Sequence, residues 1–562
     1  MFNLQCSLYS FCNRGIISNL GLEIGEEGTV FHRLACAILA LFIILTATEV
    51  VVWADDGQPQ SAQDISLWPV ALAWLVPLGL GVLACGAVPP EQTSAVIRVG
   101  WLAVSVTVIG YWLCGFAFQF GGAGFFFAHD PGLAGLKREW VWKLSNAAWA
   151  GGGVLGLEGY MLRGAASTPA ALKLFFAQLP WMTTAVAIPL WSLQGRAKPV
   201  AMFLGGILAA FVYTLLGNWT WGGGWLATMG SNAQLGHGFV DFGGVGAVYL
   251  AGASSALAGM LAFGARSYAR STYAGTVTDL GSEPYVSMPA LHLPVLATIG
   301  AWLVIVGWIG WGASTPFAVV SGLESMSILD VSIGTMLAVA GGAFVSGTYS
   351  WLVTGQANTL MVARGVLGAL VAVGAGVPFM PFWAALALGA GVGLMVPLVQ
   401  YVVEHLLRID DSTSVIATYA IPALCGLLAV GLLTDGHTGQ SWNQADGSSA
   451  SGIAGYLAAP GMANDWPGQF QAQTIGIIAV VLVSFVLSWI LFAAIQGLTR
   501  AWQGEYTIRL PRRASVERDR ALNRKWHWPH IRFVRSEVEQ ASDQEPEPES
   551  GLESGSESEP GQ

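Results

Sequence analysis

Eleven apolar runs, each long enough to cross a lipid bilayer, follow one another along this chain. They begin near Leu67, Ile97, Ala170, Val200, Phe239, Leu293, Ser332, Leu360, Phe382, Ser414 and Thr474. About 20 apolar residues in helical conformation cross the ~30 Å hydrocarbon layer. Inside that layer the backbone must satisfy its own hydrogen bonds, so each run is expected to be a helix. Composition agrees: 54% of the 562 residues are hydrophobic and only 10% are charged, whereas a soluble domain carries about 25% charged residues. The 72 glycines let such helices approach closely.

The net charge of -10 belongs to the end of the chain. Nine acids and no Lys or Arg fall between Glu537 and Gln562, which leaves 24 basic against 25 acidic residues elsewhere. Residues 537–562 read as an acidic, disordered tail, and residues 501–536 as a basic segment on the cytoplasmic side. The latter carries Trp526, Trp528 and Phe533 among its arginines, a composition suited to anchoring at anionic lipid. Residues 1–54 hold one more apolar run, Leu34 to Trp53, before Asp55 and Asp56. It suits a signal peptide cleaved after Ala54, with an uncleaved extra helix as the alternative. Cys6, Cys12, Cys36, Cys85, Cys114 and Cys425 show no CxxC or metal spacing and read as packing residues.

Lys and Arg set the orientation. The loops at 218–238, 314–328, 374–381 and 435–471 have none, whereas the alternating connections carry Arg98, Arg196, Lys198, Arg266, Arg270, Arg364 and Arg408. The mature N-terminus is therefore expected outside and the C-terminus in the cytoplasm, in a cell inner (plasma) membrane. Eleven spans suggest two five-helix halves and a last helix. A matched pair supports this: Tyr249 follows Asp241 by eight residues, and Tyr419 follows Asp411 by eight. The two spans enter from opposite sides, and eight residues rise about 12 Å, so both tyrosines reach similar depth, as in an inverted repeat. A carboxylate at a span entrance is costly unless paired or hydrogen-bonded; Asp241 and Asp411 are read as structural pins.

The motifs around these residues resemble one family. WTWGGGWLA from Trp219 followed by HGFVDFGG from His237, VGWIGWGAST from Val306, RIDDSTSVIATY from Arg408, GFAFQFG from Gly115 and GQFQAQTIGIIAV from Gly468 are similar to motifs of the ammonium transporter family (Amt, Mep and Rh proteins). The resemblance covers a membrane domain at 64–500. It implies an all-α membrane protein of eleven transmembrane helices in two inverted five-helix halves plus a last helix. It also implies a homotrimer with a narrow hydrophobic pore in each protomer, ammonium or ammonia as substrate, no cofactor and no metal. A PII-type regulator is a partner the family implies, and no nucleic acid partner is expected. By position, Trp221 corresponds to the family's site tryptophan and Thr315 to its site serine. Phe120 and Trp311 correspond to its two stacked gating phenylalanines. An aromatic face attracts ammonium, worth ~2 kcal/mol when partly desolvated.

One departure stands out. The family's paired midpore histidines correspond here to Tyr249 and Tyr419, and none of the eight histidines falls in the central part of an expected span. Imidazole accepts and donates a proton near neutral pH. A phenol stays protonated, yet still forms hydrogen bonds. Two tyrosines can line a path for neutral ammonia but relay protons poorly. A transporter with an altered pore is the first reading. A non-conducting ammonium sensor and a channel for another small solute are the alternatives. No phosphate-binding glycine loop or nucleophile–base constellation points to an enzyme.

Overall fold

The computed structural model describes residues 68–142, 152–264, 292–321, 328–437 and 452–509, apart from 87, 89, 128, 129, 412 and 463. The expected signal peptide, most of the basic segment and the acidic tail lie outside the described residues. By its internal contacts the chain divides into residues 1–496 and 497–562. Of the second unit, the described part is the end of the last helix.

Nine described helices have the length and apolar character to cross a membrane, and two shorter apolar helices accompany them. In chain order they are α1 Val70–Gly86, α2 Thr93–Phe126, α3 Pro169–Leu193, α4 Pro199–Trp221, α5 Val245–Phe263, α6 Pro294–Ala313, α7 Ile328–Thr354, α8 Thr359–Gly374, α9 Phe382–Leu406, α10 Ile416–Leu433 and α11 Gly468–Leu498. They match the eleven apolar runs one for one. Helix starts follow local chemistry: Pro169 and Pro199 occupy first turns, where no N–H partner is needed. Asn358 begins α8 by accepting from the Leu360 and Met361 N–H groups. The one strand pairing with named strands among the described residues is a hairpin, β1 Glu139–Trp142 with β2 Gly152–Gly156. It lies in the long connection between α2 and α3, where Val141 and Trp142 pair with Gly153 and Gly152.

The two halves meet first through α1 and α6. A Cβ on Gly79 would stand 2.6 Å from the Gly300 carbonyl oxygen, and one on Gly300 would stand 2.6 Å from the Gly79 oxygen. Only glycine at both positions permits this reciprocal approach. A second tie joins the entrance of α5 to the end of α8: the Phe242 and Gly243 N–H groups donate to Ala375 and Gly374 carbonyls at 3.0 and 2.8 Å. The start of α11 grips the segment before α5 through two buried amides. Gln469 accepts from the His237 N–H and donates to the Gly238 carbonyl. Gln473 does the same at both groups of Val240.

Arg98 and Arg364, read from sequence as residues of the connections, both lie inside helices. Arg364 is buried on α8.

Candidate functional site

Asp241 and Asp411 hold equivalent places. Asp241 Oδ2 accepts the Gly246 and Ala247 N–H groups at 2.9 and 3.1 Å. Asp411 accepts those of Val415 and Ile416, each at 2.9 Å. Each carboxylate thus satisfies free N–H groups at a helix start, where the helix dipole also favours negative charge. Three residues after each aspartate the backbone turns left-handed, at Gly244 (φ +70°) and Ser414 (φ +53°). Five residues further, each tyrosine sits in a wide, π-helical turn, Val245–Leu250 or Ile416–Ala420. Glycine at 244 serves a second need: a Cβ there would lie 2.7 Å from the Trp181 ring.

The tyrosines meet. The rings of Tyr249 and Tyr419 are 5.9 Å apart between centroids, inclined at 38°. The Tyr249 hydroxyl is buried without a hydrogen-bond partner. Tyr419 also borders a crevice lined by Leu80, Leu83, Ile188, Trp191 and Thr413.

Above them, toward the hairpin end, runs a column of buried tryptophans. Trp311 lies 6.1 Å from Tyr249, and Trp308 lies beside both, at 5.8 Å from Tyr249 and 5.9 Å from Trp311. Trp311 stacks on Trp181 at 4.6 Å and 3°. Trp181 in turn meets the edge or face of Trp221 at 5.4 Å and 85°. Three of the indole N–H groups are anchored: Trp221 to the Asp241 carbonyl, Trp311 to the Gly243 carbonyl and Trp181 to the Ser314 hydroxyl. With the N–H groups tied down, the polar edge of each ring is occupied, and Trp181 and Trp311 cover one face of each other.

Two residues expected at the site are placed differently. Phe120 is buried, but its ring packs on Phe116 at 5.6 Å, so the stack expected of Phe120 and Trp311 is instead Trp181 on Trp311. The reason is local: Phe120 ends the helical stretch beside Gly121, while Trp181 lies mid-helix on α3 facing α6. Thr315 is buried, and its hydroxyl oxygen accepts the Ala318 N–H at 3.3 Å, beginning a short helix. The hydroxyl on the tryptophan column is that of Ser314, which accepts from Trp181 at 2.9 Å and donates to the Trp311 carbonyl at 2.9 Å.

Beside Trp221 lies a buried polar chain that sequence reasoning missed. Tyr111 donates to Gln119 at 2.9 Å, Gln119 donates to Gln178 at 3.0 Å, and Tyr213 donates to Gln178 at 2.6 Å. Asn218 links this group to the hairpin by donating to the Gln119 carbonyl and to Glu139 Oε1, each at 3.2 Å. Burial lifts the Glu139 carboxyl to about 7, against the opposing Asn218 hydrogen bond. Polar residues inside apolar runs were the available signal for Gln119, Gln178 and Asn218.

The ammonium transporter family profile matches residues 66–500. The chain belongs to this family. Within the ammonium transporter family it is 24% identical over 416 residues to ammonium transporter Amt2 of Archaeoglobus fulgidus, covering 72% of this chain and 79% of that protein. It is also 24% identical over 394 residues to ammonium transporter 1 of Schizosaccharomyces pombe, covering 70% and 69%. Among solved structures, a sensor Amt protein aligns at a TM-score of 0.59 with 20% identity, over 77% of this chain and 92% of that one. Mep2 of Candida albicans aligns at 0.57 with 20% identity, over 77% and 83%. These likenesses are likenesses of fold, and the ammonium transporter fold is the architecture described above.

In this family member, the described histidines stay away from the tyrosine pair. His237 and His437 lie in connections, His292 begins a helix, and His405 ends α9, stacked on Tyr401 at 4.7 Å. The described cysteines, Cys85, Cys114 and Cys425, are free.

Proposed function

We propose that the protein moves ammonium-derived nitrogen across a membrane, along the path marked by Trp221, Trp181, Trp311, Tyr249 and Tyr419. The observation that carries this reading is the unbroken aromatic column, with Asp241 fixed beside it by backbone N–H groups. Ring faces attract ammonium most strongly where water is scarce. All three tryptophans are buried. At the tyrosine pair neither phenol gains or releases a proton near neutral pH. Neutral ammonia is the species that passes between them, hydrogen-bonding to the hydroxyls.

Lys and Arg placement supports the hairpin end facing outside, with the C-terminus in the cytoplasm of a plasma membrane. Family membership supports a homotrimer and a PII-type partner. Uptake of ammonium by cells lacking their own ammonium transporters is the test; growth on limiting ammonium is expected, and its absence from a well-expressed protein sinks the reading. A second reading, an ammonium receptor that does not conduct, draws on the close contact of the two tyrosine rings. Binding without uptake would select it.

A further inference from the structure

The hairpin grips the segment that carries Trp221 at three points. The Gly153 carbonyl of β2 accepts the Trp225 N–H at 3.0 Å. The Val154 carbonyl accepts the Trp219 indole N–H at 3.0 Å. The third point is a side chain of β1: Glu139 Oε1 accepts from Asn218 Nδ2 at 3.2 Å. Asn218 lies one turn before Trp221 on α4, and its own carbonyl accepts the Gly222 and Gly224 N–H groups at 3.1 and 2.9 Å. It thus closes the turn that follows Trp221. Asn218 is buried, and its Oδ1 has no hydrogen-bond partner. The Asn218 side chain is therefore held through Nδ2, by Glu139 and the Gln119 carbonyl.

The seat of Glu139 is shaped for its carboxyl group. A Cβ on Gly122 would stand 2.6 Å from the Glu139 carboxyl carbon, and one on Gly153 would overlap the carboxyl itself. The carboxyl thus fills the space that two missing side chains leave. Asn218 gives it one hydrogen bond, where an ionised carboxylate offers about four acceptor positions. The residues lining the seat, Gly122 of α2, Gly153 of β2 and Asn218 of α4, carry no charge. Lys137 and Arg138, just before β1, are exposed, and Glu158, just after β2, accepts the Lys137 N–H. A carboxylate so placed has given up water for one donor, which favours its protonated form, and burial lifts it from 4.5 to about 7.

We infer that Glu139 is a positioning residue for ammonium binding: seated against Gly122, Gly153 and Asn218, it fixes the turn around Trp221, and its withdrawal into water loosens that turn. The inference rests on the reading of Trp221 as part of the ammonium path. Glu139 touches no substrate in this role; it acts through Asn218 and the glycines that follow Trp221. The seat holds best when the carboxyl keeps its proton. As pH rises from about 4.5 through about 7, the carboxyl gains increasingly by reaching water, so seating weakens and then levels off. Affinity for ammonium therefore falls across this window, while the tyrosine pair is untouched.

The test measures ammonium uptake by the full chain in cells lacking their own ammonium transporters, with the external pH stepped from about 5 to about 8. The half-saturation concentration of wild type is expected to rise about threefold or more, the factor that follows when the seated fraction falls to about a third. Glu139→Gln keeps a neutral acceptor for Asn218, and its half-saturation concentration is expected to stay low throughout. Glu139→Ala is expected to show the high value at every pH. The maximal rate is expected to follow pH equally in all three. A merely structural glutamate would change the amount of folded protein and leave this pH profile alone. A flat wild-type profile, or a rise shared by Glu139→Gln, overturns the inference. So does a half-saturation concentration that falls with pH in wild type alone, which would make the carboxylate itself a ligand of ammonium. If wild type takes up no nitrogen, the transport reading fails, and titration of the purified protein with ammonium, followed by tryptophan fluorescence, carries the same three comparisons. Absence of both uptake and binding removes both readings.

Discussion

Trp181 and Trp311, from different halves of the molecule, stack face to face at 4.6 Å with their rings 3° from parallel. Both indole N–H groups are tied down, one to Ser314 and one to the Gly243 carbonyl. The stack joins Trp221 to the tyrosine pair.

Trp181→Leu is expected to raise the half-saturation concentration for ammonium about 30-fold, the equivalent of ~2 kcal/mol for a desolvated cation–π contact. Phe120→Leu is expected to change it little, because that ring packs on Phe116. Uptake of labelled methylammonium against concentration measures both. Equal effects of the two substitutions would mean that Phe120, and not Trp181, belongs to the column.

Replacing Tyr249 and Tyr419 together by His is expected to increase ammonium-driven flux. The rings already face each other at 5.9 Å, so two imidazoles are smaller occupants of the same gap and can pass a proton between them near neutral pH. Each single replacement is expected to do less, lacking its partner. Flux of the double variant at or below that of the starting protein would show that the tyrosines are not limiting.

Asp241→Ala is expected to destabilise the protein by about 2 kcal/mol, since buried N–H groups of Gly246 and Ala247 lose their acceptor. Asp411→Ala is expected to cost more, about 3–5 kcal/mol, because it strips a carboxylate from the buried surroundings of Arg364 as well. Thermal unfolding in detergent, followed by size-exclusion fluorescence, ranks the two variants. The reverse ranking would show that Arg364 draws its compensation from Glu404 alone.

Glu139→Gln is expected to stabilise the protein increasingly as pH rises. The Glu139 carboxyl is lifted from its ordinary 4.5 to about 7 by burial. The folded state therefore holds this proton more tightly than the unfolded chain, and its stability falls as pH climbs from about 4.5 through about 7. Gln carries no such cost. The difference in melting temperature between variant and wild type should grow across that window and then level off. A constant difference from pH 4 to 8 would mean that the carboxylate keeps enough water to ionise normally.

The spans, the family and the paired Asp–Tyr spacing were legible along the chain because they are local. Apolar length decides whether a segment enters a bilayer. A separation of eight residues decides depth once the segment is helical, and motifs such as HGFVDFGG are contiguous. Partnership across the molecule was not legible. Phe120 and Trp181 are both aromatic residues in apolar runs, and nothing nearby in sequence says which of them reaches Trp311. That depends on how α3 and α6 cross, set by close contacts far apart along the chain, such as Gly79 on Gly300 and Gly243 on the end of α8. Arg364 shows the same limit. As a residue near the end of a span it reads as an orientation marker. Only the packing of α8 against α9 and α10, seen where Gly368 meets Val392, Val396 and Pro422, buries it.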